Sequence, residues 1–117
     1  MSTSPEDDSV VVIMTTTFDD ESAAQLARTL VEERLAACVT RMAARSVYRW
    51  ESAGSAASGE ICDEAEVLLL IKSARSCATR VATRILQLHT YECPEIVVLF
   101  PDQVEEKYRT WLLGACR

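Results

Sequence analysis

Apolar positions along the chain switch several times between a spacing of two and a spacing of three to four. Val10-Val-Val-Ile-Met14 is a β-branched run that closes on Thr15-Thr16-Thr17, and it reads as a strand. Asp19 and Asp20 then offer a helix cap, with negative charge where the helix dipole favours it. Ala23, Ala27, Leu30, Val31 and Leu35 recur at helical spacing and predict an amphipathic helix of about four turns. Arg28, Glu32 and Glu33 fall off that stripe, toward water. A second strand starts in Ala36-Ala37-Cys38-Val39, and further on Tyr48 and Trp50 alternate with Val47, Arg49 and Glu51. Ser52 to Gly59 contains only Ser, Ala and Gly, the composition of a mobile turn. The third strand begins near Glu64, contains Val67-Leu-Leu-Leu-Ile71 and ends at Lys72. Ser76 is placed to cap a second helix with Cys77, Val81, Ile85 and Leu88 as its stripe, ending near His89 because Pro94 disfavours helical geometry at Cys93. Ile96-Val-Val-Leu-Phe100 is the fourth strand. Asp102 with Glu105 resembles a capping box, and Val104, Tyr108, Trp111 and Leu112 give a short last helix one apolar face.

Strand, helix and strand thus occur twice in succession. That is the β-α-β-β-α-β order of the ferredoxin-like fold, an α+β sandwich, here with an extra C-terminal helix. Right-handed crossovers place both long helices on one face of an antiparallel sheet. Residues 1–9 are expected to be a disordered acidic tail, and residues 10–117 one domain.

A sheet covered on one side should alternate apolar and polar residues, and three of these strands do not. Val10 to Met14, Val67 to Ile71 and Ile96 to Phe100 are apolar at every position. Roughly seven large side chains would then line the face away from the helices, each gaining about 1.5–3 kcal/mol on burial. Patches of that size are rarely left to water. The last helix is too short to cover the whole face, so the pattern predicts a homo-oligomer in which sheets pack together.

Composition narrows the function. The chain has 117 residues, 49% hydrophobic, with a formal net charge of -6. That length suits one domain. The acidic balance, with no run of basic residues, disfavours nucleic acid as a partner. No apolar run approaches the roughly 20 residues that span a bilayer, and the acidic start is the reverse of a signal peptide. Five scattered cysteines, none in a CxxC, argue against a disulfide framework or zinc ribbon and point to a reducing, cytoplasmic setting.

Candidate chemistry gathers in His89-Thr-Tyr-Glu-Cys-Pro-Glu95, which holds the only histidine, a thiol and two carboxylates. An imidazole with a thiolate or carboxylate suits copper or zinc, so His89, Cys93 and Glu95 are the candidate metal ligands. Without a second His or a CxxC the site is expected to be weak. A histidine at a helix end equally serves the dipole. Lys72, at the end of the third strand, and Glu66 suit either an inter-subunit ion pair or an anionic ligand. Trp50, Tyr91 and Tyr108, with Tyr48 and Trp111, suit subunit contacts or the walls of a cleft. Enzyme readings do poorly: the lone histidine has no nucleophile elbow beside it, and Thr15-Thr16-Thr17 lacks the glycines of a phosphate loop. The chain is therefore read as having no catalysis of its own.

Leu30-Val-Glu-Glu-Arg-Leu-Ala-Ala-Cys-Val39, Tyr48-Arg-Trp50, Glu66 to Ser73, His89 to Ile96 and Tyr108-Arg-Thr-Trp111 closely resemble the CutA family of divalent-cation tolerance proteins. The resemblance runs from about Val10 to Leu113. It implies a ferredoxin-like homotrimer, cytoplasmic in bacteria, associated with tolerance to copper and other divalent cations. It also aligns Thr15 and Leu88 with positions where some members place a cysteine and a histidine ligand, leaving Glu95 from that set. The expected function is thus trimeric divalent-cation tolerance with weak binding of Cu(II) or another divalent cation. The alternative is a trimeric signalling or scaffold module that takes a small anionic metabolite or a protein partner in its inter-subunit clefts.

Overall fold

The computed structural model describes residues 8–50 and 59–116. Eight elements follow in order: β1 (Val10–Thr17), α1 (Asp20–Glu32), β2 (Cys38–Trp50), β3 (Glu60–Ala74), a 3-10 turn (Arg75–Cys77), α2 (Ala78–Leu88), β4 (Val97–Leu99) and α3 (Glu106–Ala115). The sheet has the order β2-β3-β1-β4, with every neighbouring pair antiparallel. This is the ferredoxin-like order expected from the sequence. Of the predicted tail, residues 1–7 lie outside the described residues, as does the Ser52–Gly59 turn apart from Gly59. Asp8 and Ser9 are bound to the domain: Arg109 Nη2 donates to the Asp8 carbonyl at 2.6 Å, and the Arg75 N–H to the Ser9 carbonyl at 2.7 Å.

The helix boundaries follow from their caps. Asp19 Oδ1 accepts the Ser22 N–H at 2.8 Å, as an N-cap should. At the other end Arg34 takes a left-handed conformation (φ 60), so that its N–H reaches the Val31 carbonyl and the Leu35 N–H reaches Leu30. This is a Schellman closure, made here without the usual glycine. It ends α1 before Leu35, which is buried beside the helix rather than within it. The buried helical stripe is therefore Ala23, Leu26 and Leu30, and Val31 of the predicted stripe is exposed. Ser76 does not cap α2. It sits in the 3-10 turn, and its backbone N–H and hydroxyl both donate to the Asp8 carboxylate. Leu88, assigned to the α2 stripe, is exposed. For α3 the cap is Glu105, whose carboxylate accepts the Lys107 and Tyr108 N–H groups, and not Asp102. Leu112 and Leu113 form its buried side, whereas Tyr108 and Trp111 are exposed.

Val11, Ile13, Leu69 and Ile71 supply the inner face of the sheet, packed with Leu30 of α1 and Val81 and Ile85 of α2. The other face stays open. Met42, Val97 and Leu99 are 44%, 44% and 45% exposed, and Val12, Met14, Leu68 and Leu70 are only half-buried. The predicted excess of apolar surface is present, and α3 leaves it uncovered.

β2 and β3 are longer than expected. β2 is one continuous strand, and β3 starts at Glu60 and runs to Ala74. β1 meets β3 only between Val67 and Ala74. Ala44 to Trp50 and Glu60 to Glu66 therefore leave the sheet as a two-stranded ribbon of about 20 Å.

Candidate functional site

His89 caps α2 through its backbone, donating to the Ile85 carbonyl at 2.8 Å. Its ring then points back to the end of β1. Nε2 lies 2.6 Å from the Thr16 carbonyl, and Nδ1 accepts the Tyr91 N–H at 3.0 Å. A carbonyl only accepts and a backbone N–H only donates, so these two bonds call for a proton on Nε2 and a lone pair on Nδ1. The Tyr91 ring packs against it at 4.6 Å, and the Tyr91 hydroxyl donates to Glu66 Oε2 at 2.7 Å. One chain of contacts thus links the end of β1, the loop after α2 and the base of the ribbon. Burial, and then the Glu66 carboxylate, push the Tyr91 phenol well above its ordinary pKa. Two residues along the ribbon the motif repeats: the Tyr48 hydroxyl donates to Glu64 Oε2 at 3.0 Å, and chiefly that bond pushes its pKa up to about 12.

The predicted metal ligands are not assembled. Cys93 and Glu95 are exposed, His89 has both nitrogens in use, and no three His, Cys, Asp or Glu side chains among the described residues are grouped to hold a metal ion. Metal coordination by His89 would have to break one of its two bonds. Within one chain these residues do not fit a resident metal. Thr15, one of the positions the resemblance assigned to a ligand, lies fully buried with its hydroxyl unpartnered among the described residues.

The second predicted set separates into two. Glu66 and Tyr91 meet directly, and Trp50 lies on the same strand face further out, opposite Glu60. Lys72 stands six residues along β3 from Glu66, about 20 Å away, so the two cannot pair within one chain. Instead Lys72 Nζ donates to Thr40 Oγ1 and to Cys38 Sγ. Tyr108, on α3, stacks obliquely on Trp111 at 5.6 Å, and its phenol is raised by burial and by nearby Cys38. A shallow cavity of about 160 Å³ opens between α1 and the His89 loop, lined by Thr17, Gln25, Thr29, Leu88 and His89 and by no charged side chain.

Sequence reading missed Glu64 and Cys38 as participants. The signal for Glu64 was its spacing of two from Glu66, which puts both carboxylates on one strand face. It was obscured because the third strand was started at Glu64, without its first four residues. Cys38 could be connected to Lys72 only through the strand register.

An antiparallel ferredoxin-like sheet with one open apolar face and a long protruding two-stranded ribbon defines a class of small α+β domains. Residues 11–115 match the family described as CutA1 divalent ion tolerance protein. The chain is 41% identical over 118 residues to the divalent-cation tolerance protein CutA of Pectobacterium atrosepticum, with all of both chains covered. It is 38% identical over 91 residues to that of Thermus thermophilus, covering 77% of this chain and 82% of the other. The crystal structure of CutA from Xylella fastidiosa superposes with a TM-score of 0.84 at 36% identity, over 92% of this chain and 98% of that one. The chain belongs to the CutA1 family of divalent ion tolerance proteins. Compartments differ among such proteins: an Arabidopsis thaliana relative is described as chloroplastic and an Archaeoglobus fulgidus structure as periplasmic. No helix among the described residues is long and apolar enough to cross a membrane.

Proposed function

We propose that this chain works as a cytoplasmic homotrimer in divalent-cation tolerance, with copper among the cations it meets and no catalytic step of its own. The observation that carries the assembly is the pairing of an open apolar sheet face with a ribbon that has no layer beneath it among the described residues; the number three rests on the family resemblance. A two-stranded ribbon is marginal in water, and three or more strands or a packed face are needed for stability. Other copies of the chain supply both. Family membership supports the tolerance role.

Metal is taken weakly, through the exposed Cys93 and Glu95, because a tight site needs a preformed set of three or four ligands. His89 serves the loop instead. Calorimetric titration of the purified oligomer with Cu(II) and Zn(II) tests this reading. Weak binding that is reduced by Glu95→Gln and by Cys93→Ser is the expected result. Tight binding abolished by His89→Ala, with the fold intact by circular dichroism, would show that the loop rearranges into a true site. Sedimentation showing a stable monomer at micromolar concentration would remove the trimer.

A further inference from the structure

Five thiols occupy five different surroundings. Cys77 and Cys116 are buried, Cys93 is exposed, and Cys38 and Cys62 are half-buried. Cys62 Sγ is near the Glu60 carbonyl at 3.9 Å, and Cys77 Sγ meets the Arg80 guanidinium at 3.4 Å. Neither neighbour is a nucleophile. Cys38 alone among the described thiols faces an amine, Lys72 Nζ at 3.9 Å.

Backbone pairing fixes that approach. Cys38 and Lys72 are direct partners in the β2–β3 register, where opposite Cβ atoms stand about 4.5–5.5 Å apart. The Ala37 N–H donates to the Lys72 carbonyl at 2.9 Å and pins the same rung. Thr40, the next residue on that face of β2, accepts from Lys72 Nζ and keeps the lysine folded over β2. None of the ion pairs among the described residues draws Lys72 elsewhere. Covalent joining therefore needs side-chain rotation only.

We propose that Cys38 and Lys72 form a thiol-reversible covalent tie when the protein meets hydrogen peroxide. In the first step the Cys38 sulfur attacks one peroxide oxygen. An S–O bond forms and the O–O bond breaks. The sulfur loses two electrons to the peroxide, and the departing hydroxide takes the thiol proton as water, leaving a sulfenic acid. In the second step the neutral Lys72 amine attacks that sulfur. An S–N bond forms, the S–O bond breaks, and hydroxide leaves with an amine proton as a second water. The product is a sulfenamide, the linkage that sulfenic acids are known to make with backbone nitrogen. Two equivalents of an external thiol reverse it, returning cysteine and lysine and forming one disulfide. The tie fastens the first residue of edge strand β2 to β3, at the end of the pair opposite the ribbon, and it requires no metal.

The test uses the full chain, treated with hydrogen peroxide at mildly alkaline pH, alkylated, digested and analysed by mass spectrometry. The expected product is a pair of peptides joined through Cys38 and Lys72, lighter by two hydrogens than their sum and released by dithiothreitol. Cys38→Ser and Lys72→Arg should both lack it, the latter with an unchanged circular dichroism spectrum, since arginine keeps the cation but not the nucleophile. Oxidising the wild-type chain in denaturant should lower the yield about tenfold or more, because held neighbours react at high effective concentration. Cys38 recovered from the native protein as sulfinic acid or as a disulfide, with Lys72 unmodified, would overturn the proposal. Equal yields from native and unfolded chain would do the same.

Discussion

Replacing Thr15 by valine should make this protein more stable. Thr15 is fully buried on the inner face of β1, and its hydroxyl has no hydrogen-bond partner among the described residues. A hydroxyl taken from water and left unpaired costs about 1–3 kcal/mol. Valine has nearly the same shape and carries no such cost, and β1 already favours β-branched residues. Some of the gain is offset because a methyl is slightly larger than a hydroxyl in a tightly packed layer. The net expectation is a stabilisation of about 1–2 kcal/mol. Thr15→Ser is the control: it keeps the orphaned hydroxyl, deletes one buried methyl, and should cost about 1 kcal/mol. Urea unfolding at one fixed protein concentration measures both, since assembly would otherwise shift the midpoint by mass action. The slope should be unchanged and the midpoint higher for valine, lower for serine. A lower midpoint for Thr15→Val would refute the reasoning, and would mean that the hydroxyl holds a partner in solution. It would then be the natural place to look for a polar function in the core.

Four further outcomes follow from the geometry. The Tyr48 and Tyr91 phenols have pKa values raised above the unfolded 10.0, so they favour the protonated folded state. Their contribution is full below pH 10 and is lost as pH rises through about 12 and beyond, which tyrosinate absorbance recorded alongside unfolding will follow. The Glu33 carboxylate is lowered from 4.5 chiefly by its hydrogen bonds to Arg84 (2.8 and 2.9 Å), so its smaller contribution is present above 4.5 and lost as pH falls through the lowered value; Glu33→Gln should flatten the acid limb. Arg34→Gly should stabilise by about 0.5–1 kcal/mol in thermal melts, because glycine takes the left-handed position without a Cβ penalty. Leu112→Ala, which empties the fully buried anchor of α3, should cost about 2–5 kcal/mol and expose the α3 backbone to hydrogen exchange.

Much of this architecture was legible because periodicity reports burial. Val67 to Ile71 announces a strand buried on both faces, and the surplus it implies is present as the exposed Val97 and Leu99. Local rules failed where a distant contact decided the outcome. Ser76 has the right chemistry for a cap, but its hydroxyl is claimed by Asp8, sixty-eight positions earlier. Polar residues from Glu60 to Glu66 carry no core signal because they belong to the ribbon, beyond the reach of either helix. The candidate site was legible in parts only. Glu66 and Tyr91 were both marked, and the structure joins them, while His89 was marked for its chemistry and is engaged for its geometry. Composition cannot tell an available imidazole from one whose two nitrogens are already bound.

The sheet order leaves β2 at an edge along its whole thirteen-residue length. Such an edge offers unpaired donors and acceptors to any extended chain that arrives, and long edges of this kind template aggregation. This one is guarded on one side. Arg41, Arg45 and Arg49 recur at every fourth position, so all three share one strand face, and each is held by a partner: Asp20, Asp63 and the Gly59 carbonyl. A stray strand laid along β2 must accommodate three arginines before it gains its backbone bonds. The opposite face of the ribbon carries Tyr48 and Trp50 instead. The arginine face thus screens the edge against stray strands, and substitutions that neutralise those arginines should appear first as insoluble protein.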